Sequence, residues 1–508
     1  MTIDEPAPEP NAVALAPADP PIPPAVRRPA AAPRSDVSTA VVILFRQTVE
    51  FLVALSLSIL LFRTFAAEAY IVPTGSMAPT LLGLHKEVSC SNCRFRFVLG
   101  MDEQGRSARA VCPNCGQVEL DSSSAIVSNG DRLLVQKYLF DVRSPRRWEV
   151  AVFQSRAEPN QAYVKRVVGL PGEAIQVRGG DLYVDGRIAR KGLAELRAMR
   201  QLVYDHNFTP SDSDRFPRWV FRRSRHPGAR ASRWKAEGTR FVRTAAVDEG
   251  ETVDWLDYRH WDPDTGRYGP VRDFYSYNGG DVRGDNLVTD LMLDFIVSAR
   301  PGARNLVVRI NPGSESFLVL LPIDGRSRPE ARRNGVMLPV EGARDGLASS
   351  PAGAPRPAHV EVAVVDRRLL VAIDGALAFD PIDFNGADPG PGPFASPVSI
   401  GAQGGGLDVS DLKIYRDVYY TSSLANTPRR PFGVDIPYIL GPDEYFVLGD
   451  NSPVSNDSRF WTSSPVVRRK DFLGKPFLVH LPGQLFSLRV FGRSICWIPD
   501  PREIRYIR

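Results

Sequence analysis

The stretch AYVKRVVGLPGE, residues 162–173, places two adjacent cations inside an apolar run. Its composition predicts a β-strand that ends in a Pro-Gly turn. Because successive side chains of a strand point to opposite faces, either Lys165 or Arg166 must face inward or lie along a cleft. Burial would lower the pKa of Lys165 and make its amine a competent general base near neutral pH. Taken by itself, the segment favours two cations that extend to water.

Two further segments gather polar residues in tight turns. The first, IVPTGSMAPTL (71–81), holds Ser76 after Gly75 and between two prolines, where a hydroxyl can act as a nucleophile if a base lies near it. The second, EYFVLGDNSPVSNDSRFW (444–461), collects carboxylate, amide, hydroxyl and guanidinium groups after an apolar strand. Each segment alone is typical of an ordinary polar turn. The six His residues follow no motif, so a Ser-His-Asp triad stays open without any pattern that points to it.

An apolar stretch, VVILFRQTVEFLVALSLSILLFRTFAAEAYIV (41–72), precedes the first of these segments. Its length and the lack of a comparable run elsewhere in the sequence predict a single transmembrane helix at 41–70, with a buried core helix as the alternative. Several arginines lie near its start, namely Arg27, Arg28, Arg34 and Arg46. By the positive-inside rule, they place the N-terminus in the cytoplasm and the body of the chain outside the inner membrane.

The remaining sequence divides into segments that differ in composition and in hydrophobic periodicity. Residues 1–40 are rich in Pro and Ala, and we predict a disordered cytoplasmic tail. Residues 71–190 and 423–508 both mix polar motifs with short apolar runs. We therefore predict that they form two parts of a single β-rich core. Residues 191–282 show no clear periodicity and are interpreted as an irregular insertion. Residues 283–422 hold many short strands with an Asp-Gly hairpin signal, which predicts an inserted β-sandwich of the jelly-roll kind.

Four of the five cysteines form two CxxC pairs. Cys90 and Cys93 make the first pair, and Cys112 and Cys115 follow after 18 intervening residues. This spacing is typical of a four-thiolate zinc ribbon, so we predict a structural zinc within an insertion at 86–120. Disulfides are permitted outside the membrane and remain the alternative. A four-cysteine site leaves no open coordination position, which argues against a catalytic metal.

Composition excludes several classes of protein. The chain has 508 residues, of which 43% are hydrophobic and 24% charged. This balance excludes a chain that is disordered throughout and a multi-span membrane protein. The net charge of +5 is too mild to indicate a nucleic acid partner.

The motifs and their order resemble those of the bacterial type I signal peptidase family. An apolar helix leads into PTGSM, and GDRLLVQKY (130–138), YVKRVVGLPGE and GDNSPVSNDSR follow. The resemblance covers about residues 45–82, 125–190 and 430–480. It implies a mainly β fold, with a signal-peptidase-type catalytic core after one N-terminal transmembrane helix, here carrying an inserted β-sandwich. It also implies a serine endopeptidase that removes signal peptides from exported preproteins after small residues, at sites of the Ala-x-Ala type.

The same resemblance implies roles for individual residues. Ser76 would be the nucleophile and Lys165 the general base, with no cofactor for catalysis. Thr74 keeps the hydroxyl that, together with the Ser76 N–H, would stabilise the oxyanion. The last motif supplies a hydroxyl that orients the lysine amine and an ion pair that braces it, namely Ser455, Asp457 and Arg459. The implied partners are preproteins emerging from the secretion machinery, and membrane lipid.

Three other functions compete with this interpretation. A self-cleaving repressor of the SOS-response type also uses Ser and Lys, but the apolar segment argues against it. An anchored binding protein would use the sandwich and keep a vestigial protease core. The phrases VEVAVVDRRLLVAIDGALAF and PVSIGAQGGGLDVSDLKIYRDVYYT resemble concanavalin- and laminin-G-type jelly rolls, which serve as spacers, docking domains or sugar-binding domains. A zinc-dependent hydrolase is opposed by the lack of a His or carboxylate ligand motif.

Overall fold

The computed structural model describes residues 37–61 and 67–507, apart from gaps at 103, 119–124, 156–160, 212–215, 224–231, 245–251, 301, 324–326, 345–346, 348–356, 387–395, 424–430, 463 and 491–492. Two compact units make up the chain, one ending at Leu61 and the other beginning at Phe62. The fold is mainly β with one N-terminal apolar helix, which confirms the predicted fold class.

The first unit contains the helix Val37–Leu61. Its segment Val41–Leu60 is long and apolar enough to cross a membrane. The predicted span of 41–70 extends beyond this helix because Ala67–Ile71 forms a strand, whose backbone pairs with Arg132–Gln136. The predicted disordered tail lies outside the described residues as far as residue 36, and its last four residues belong to the helix.

An eight-stranded antiparallel sheet is the main element of the core. Strands from before residue 170 and from after residue 440 are interleaved in it, so the two ends of the second unit build one sheet. Strand Arg505–Tyr506 pairs with Phe472–Leu481 at its side. The other strands, in spatial order, are Ala67–Ile71, Arg132–Gln136, Phe472–Leu481, Val150–Gln154, Ala162–Gly169, Glu444–Leu448 and Val467–Arg468.

Smaller elements surround this sheet. A four-stranded sheet consists of Arg187–Ile188, Asp181–Val184, Ala174–Arg178 and Tyr438–Ile439. A three-stranded sheet consists of Arg96–Gly100, His85–Ser89 and Val127–Ser128. Two hairpins pair Trp261–Asp262 with Arg267–Tyr268 and Leu485–Val490 with Arg493–Pro499. The short helices are Leu139–Val142 and Leu193–Met199, and 3-10 turns lie at Gly75–Met77, Ser276–Asn278, Ser452–Val454, Arg469–Asp471 and Pro501–Glu503.

Two larger antiparallel sheets pack face to face as a sandwich. One large apolar cluster takes side chains from both, for example Leu293 and Phe295 from one sheet and Leu306 and Val308 from the other. The first sheet consists of Trp234–Glu237, Arg240–Arg243, Leu407–Arg416, Leu291–Ala299, Pro357–Val365, Arg368–Ile373 and Ala376–Leu377, with Gln201–Asp205 and Ile382–Asp383 at its sides. The second consists of Trp219–Arg223, Asp254–Tyr258, Val398–Gly404, Ala303–Ile310, Phe317–Pro322, Glu330–Arg333 and Val336–Leu338.

The sandwich begins earlier in the chain than the sequence pattern predicts. The stretch 191–282, interpreted from sequence as irregular, contributes strands to both sheets of the sandwich. These strands are short and carry large aromatic and basic side chains, so the alternation that marks a half-buried strand is hidden. For example, Asp254–Tyr258 is buried on both faces. The hairpin signal at Asp374-Gly375 was informative, because both residues adopt positive φ between two paired strands.

A buried ion cluster joins the sandwich to the core. The Lys191 ammonium lies 2.9 Å from an Asp366 carboxylate oxygen and 2.7 Å from one of Asp417, and all three side chains are almost fully buried. Burial, with repulsion from Asp366 and Asp417, raises the pKa of the neighbouring Asp290 to about 7. Lys191 therefore offsets several carboxylates that would otherwise repel one another inside the protein.

We expect Lys191→Met to destabilise the protein by about 3–5 kcal/mol, because it leaves buried carboxylates without their cation. The unfolding midpoint in guanidinium chloride, followed by tryptophan fluorescence, measures the loss. Lys235→Met on an exposed strand position is the matched control. Equal midpoints for the two variants would contradict the assigned role of Lys191.

Candidate active site

Ser76 and Lys165 lie in contact although 89 residues separate them in the chain. Ser76 sits on the 3-10 turn Gly75–Met77, and Lys165 is in the middle of the core strand Ala162–Gly169. The Lys165 Nζ is 2.7 Å from the Ser76 Oγ. Only 9% of Ser76 and 3% of Lys165 remain exposed. The arrangement therefore brings a hydroxyl and an amine together in a site with little water.

Arg166, on the opposite face of the same strand, is also buried. Its guanidinium forms two bonds to the Asp450 carboxylate, at 2.7 and 2.6 Å. The expectation that both cations extend to water is therefore wrong. Burial is tolerated on this face because Asp450 neutralises the arginine.

Among the residues that the structure describes, no carboxylate forms an ion pair with the Lys165 ammonium. Its Nζ bonds to Ser76 Oγ and, at 3.2 Å, to the backbone oxygen of Val164. Burial lowers the pKa of Lys165 to about 8, even though the more distant charges of Asp457 and Asp450 act in the opposite direction. A substantial fraction of the amine is then neutral at mildly alkaline pH.

Asp457 and Arg459 form a buried ion pair beneath the lysine. Arg459 donates to both Asp457 carboxylate oxygens, at 2.9 and 2.7 Å, and neither side chain is exposed. The same carboxylate accepts the Gly449 N–H at 3.0 Å. Arg459 also donates to the backbone oxygen of Thr421, at 2.6 Å. The pair thus joins the last motif to the segment that leaves the sandwich.

Two hydroxyls implied as auxiliary groups lie in different situations. The Thr74 Oγ1 is 3.5 Å from the Ser76 Oγ. The Ser455 Oγ is buried and makes no hydrogen bond within the described part of the chain. The implied bond between Ser455 and the lysine amine is therefore absent from this structure, in which the amine bonds to Ser76 and Val164.

A cleft of about 900 Å³ opens beside the two residues. One side comes from the core, including Val72, which follows its first strand, and the strand residues Leu133 and Val152. The other side comes from two segments that the motifs did not indicate, residues 100–102 and 104–108 of the four-cysteine region and residues 277–282. The sequence interpretation missed this second side, since nothing local in either segment points to the core.

The four cysteines come together as predicted. Their sulfur atoms all lie within 4.8 Å of one another, with 3.5 Å between Cys90 and Cys115 and 3.6 Å between Cys93 and Cys112. All four are buried free thiols. A disulfide requires about 2.05 Å between sulfurs, whereas tetrahedral zinc with bonds of about 2.3 Å separates them by about 3.8 Å. The cluster therefore has the size and donor set for a zinc ion.

Two other groups of carboxylates come close together but are already compensated. Asp294 and Glu361 receive Arg197 and Arg200 as ion-pair partners. The cluster of Asp181, Asp290 and Asp366 contains Lys191, as described above. Because protein cations occupy these positions, the cysteine cluster is the better candidate for a metal site.

Comparison with known proteins identifies relatives for the core. A family model described as "Signal peptidase, peptidase S26" matches residues 108–227 and 414–481, which include Lys165 and the last motif but not Ser76. Signal peptidase I of Bacillus caldolyticus is 30% identical over 152 residues, covering 28% of this chain and 77% of that protein. Signal peptidase I of Leptolyngbya laminosa is 30% identical over 148 residues, covering 28% of this chain and 49% of that protein. The chain thus spans about half the length of the latter relative.

Solved structures align with part of the chain at low identity. The exoplasmic/lumenal domain of VIP36 aligns with 44% of this chain and 92% of its own, at 10% identity and a TM-score of 0.24. The carbohydrate recognition domain of Emp47p aligns with 40% of this chain and 90% of its own, at 12% identity and a TM-score of 0.23.

We expect Lys165 to lose its proton near pH 8, because burial disfavours its charged form. With lysine labelled by ¹³C at Cε, the eight lysines of the chain give a spectrum simple enough to follow during a pH titration. Lys165→Met identifies the signal. Lys413 is the internal control: burial acts against its charge, but its bond to Asp411 raises its pKa. A Lys165 signal that titrates together with that of Lys413 would contradict the expectation.

Proposed function

Because the chain belongs to the signal peptidase I family, we propose that it is a membrane-anchored serine endopeptidase that cuts signal peptides from exported preproteins. The observation that carries the proposal is the 2.7 Å contact between Ser76 Oγ and Lys165 Nζ at the side of a cleft. A nucleophile and a base within hydrogen-bond reach are what this class of hydrolysis needs.

The proposed reaction has two stages. In the first, neutral Lys165 takes the proton of the Ser76 hydroxyl while Oγ attacks the peptide carbonyl, and the resulting ammonium then protonates the leaving amine. This gives an acyl-enzyme and releases the mature protein. In the second, Lys165 takes a proton from water, the hydroxide attacks the ester carbonyl, and Ser76 leaves with the proton returned to its Oγ.

Charge on the carbonyl oxygen needs its own donors during both stages. The Ser76 N–H and the Thr74 hydroxyl are the proposed pair, and the position of Thr74 Oγ1 beside Ser76 Oγ supports the second donor. Asp457 and Arg459 would add little net charge to the surroundings of Lys165, since their opposite charges neutralise each other.

The proposed substrates follow from the cleft and the helix. The cleft beside the dyad is lined in part by the aliphatic residues Val72, Leu133 and Val152, which suits an extended peptide with small residues such as Ala near the cut bond. The helix Val37–Leu61 would keep the enzyme in the membrane that holds the signal peptide. The arginines before this helix favour a cytoplasmic N-terminus and a catalytic domain outside.

We expect the full chain in detergent to cut a preprotein after the last Ala of an Ala-x-Ala site. Ser76→Ala and Lys165→Ala should each lower the cleavage rate by more than about a thousand-fold, because the dyad acts as a unit. Mass spectrometry of the products locates the cut. Lys137→Ala, at a half-exposed surface lysine, is the control and should cleave like the wild type. Normal cleavage by the Ser76 variant would remove the basis of the proposal.

We further propose that Cys90, Cys93, Cys112 and Cys115 hold one structural zinc. Two equivalent turns support this: the Arg94 and Gly116 N–H groups bond back to Cys90 and Cys112, and both residues have positive φ. A zinc ion would tie these turns together without entering the reaction. The segment 100–108 that lines the cleft follows the first turn, so the metal would stabilise part of the cleft.

We expect purified full chain to contain one zinc per molecule by elemental analysis. Cys112→Ser should lose the metal and lower the thermal midpoint, because three thiolates bind zinc more weakly than four. Cys496→Ser, at the fifth cysteine, is the control and should retain it. A metal-free wild type with no titratable thiols in the cluster would favour disulfides and contradict the zinc site.

A further inference from the structure

Asn451 holds the nucleophile turn by two separate bonds. It lies in the last motif and is fully buried. Its backbone N–H donates to the Ser76 carbonyl oxygen at 3.1 Å, and its side-chain Nδ2 donates to the Gly75 carbonyl oxygen at 3.0 Å. The Gly75 oxygen also accepts the Ala78 N–H at 3.1 Å.

The bond to the Gly75 oxygen bears on the adjacent N–H. The Gly75 C=O and the Ser76 N–H belong to one planar peptide unit, in which they point in opposite directions. A donor that fixes the oxygen therefore fixes the direction of the Ser76 N–H. It also polarises the peptide, which makes that N–H a better donor. This is the N–H proposed above as a donor to the oxyanion.

The side chain of Asn451 is itself oriented by Asn278. The two amides form a reciprocal pair: Asn451 Nδ2 donates to Asn278 Oδ1 at 2.7 Å, and Asn278 Nδ2 donates to Asn451 Oδ1 at 2.8 Å. Without Asn278, the buried amide of Asn451 would lose two of its three side-chain bonds. Its rotation about the last torsion, and hence its donor to Gly75, would then be poorly defined.

Asn278 is held firmly by its neighbour Tyr277. The Tyr277 ring fills the space between two glycines, since a Cβ atom on Gly75 or Gly100 would come within 2.1 or 2.3 Å of it. Its hydroxyl donates to the Leu84 carbonyl oxygen at 3.3 Å. Both residues lie on the 3-10 turn Ser276–Asn278, in the stretch between the early sandwich strands and Leu291–Ala299.

We propose that Asn278 is a positioning residue that acts through Asn451 on the Ser76 peptide, so that a segment outside the catalytic motifs sets the oxyanion donor. This rests on the proposed peptidase activity. The effect belongs to the transition state, because the carbonyl oxygen needs the donor most when it carries negative charge.

A double-mutant cycle tests this chain of contacts. We expect Asn278→Ala to lower kcat about ten-fold with KM nearly unchanged, a smaller loss than the hundred-fold or more that removal of an oxyanion donor costs. In an Asn451→Ala background, Asn278→Ala should cause little further loss, because its effect is transmitted by that amide. Asn286→Ala, which removes an amide of the same inserted stretch that bonds Asp273, is the matched control and should keep the wild-type kcat.

The outcomes separate this inference from the proposed function. If the wild type cleaves and Asn278→Ala has the same kcat, or if the two losses simply multiply, the positioning role is overturned while the peptidase stands. If the wild type does not cleave, the peptidase proposal fails. The structure of the Asn278→Ala full chain then decides the amide pair independently: an Asn451 Nδ2 still 3.0 Å from the Gly75 oxygen overturns the inference, and a rotated amide supports it.

Discussion

Three buried cations determine the rest of the site. Lys165 and Arg166 lie on the strand Ala162–Gly169, and Arg459 lies in the segment after the neighbouring strand Glu444–Leu448. Arg166 and Arg459 are each neutralised by a carboxylate, Asp450 and Asp457 respectively, while the hydrogen bonds of Lys165 within the described residues go to a hydroxyl and a backbone oxygen. Removing a charge from water is costly, and only the lysine can respond by releasing its proton. The same desolvation that two ion pairs offset is therefore left acting on the third cation, and it lowers the pKa of Lys165 so that the free amine becomes available as a base.

The inserted parts of the chain contribute residues to this site. The four-cysteine region and the turn around Tyr277 both line the cleft. Asn114, inside the second CxxC turn, bonds the backbone of Asp205 and Phe208, so the cysteine turns also rest on the sandwich. A continuous set of contacts thus leads from the sandwich through the cysteine region to the nucleophile turn. The order of motifs along the sequence alone did not indicate this dependence.

Local patterns were sufficient for some of these features and not for others. The CxxC spacing and the motif order singled out the four thiols, Ser76 and Lys165, because each signal lies within a few residues. The burial of Arg166 depends on its ion pair with Asp450, which lies 284 positions away in the sequence. The amide pair spans 173 positions and joins a motif to a stretch without periodicity, so no local signal could have revealed Asn278. The strands between residues 201 and 258 were missed because they are short, and in Asp254–Tyr258 burial on both faces also removes the alternation.

The place where the sandwich leaves and rejoins the core has a consequence for biosynthesis. Gly180 and Tyr420 pair through their backbones, and Lys191 bonds Asp417, so the excursion of more than two hundred residues begins and ends at one point. The strand Ala162–Gly169 can acquire its neighbour Glu444–Leu448 only after this excursion has been translated and its ends have met. Once the sandwich has folded, its two ends lie close together. For the core, the insertion then acts as a short connection, and the entropy lost on closing it is small. Until then the newly made chain lacks the part of the cleft that residues 277–282 line, and an antiparallel sandwich is a slow topology to form.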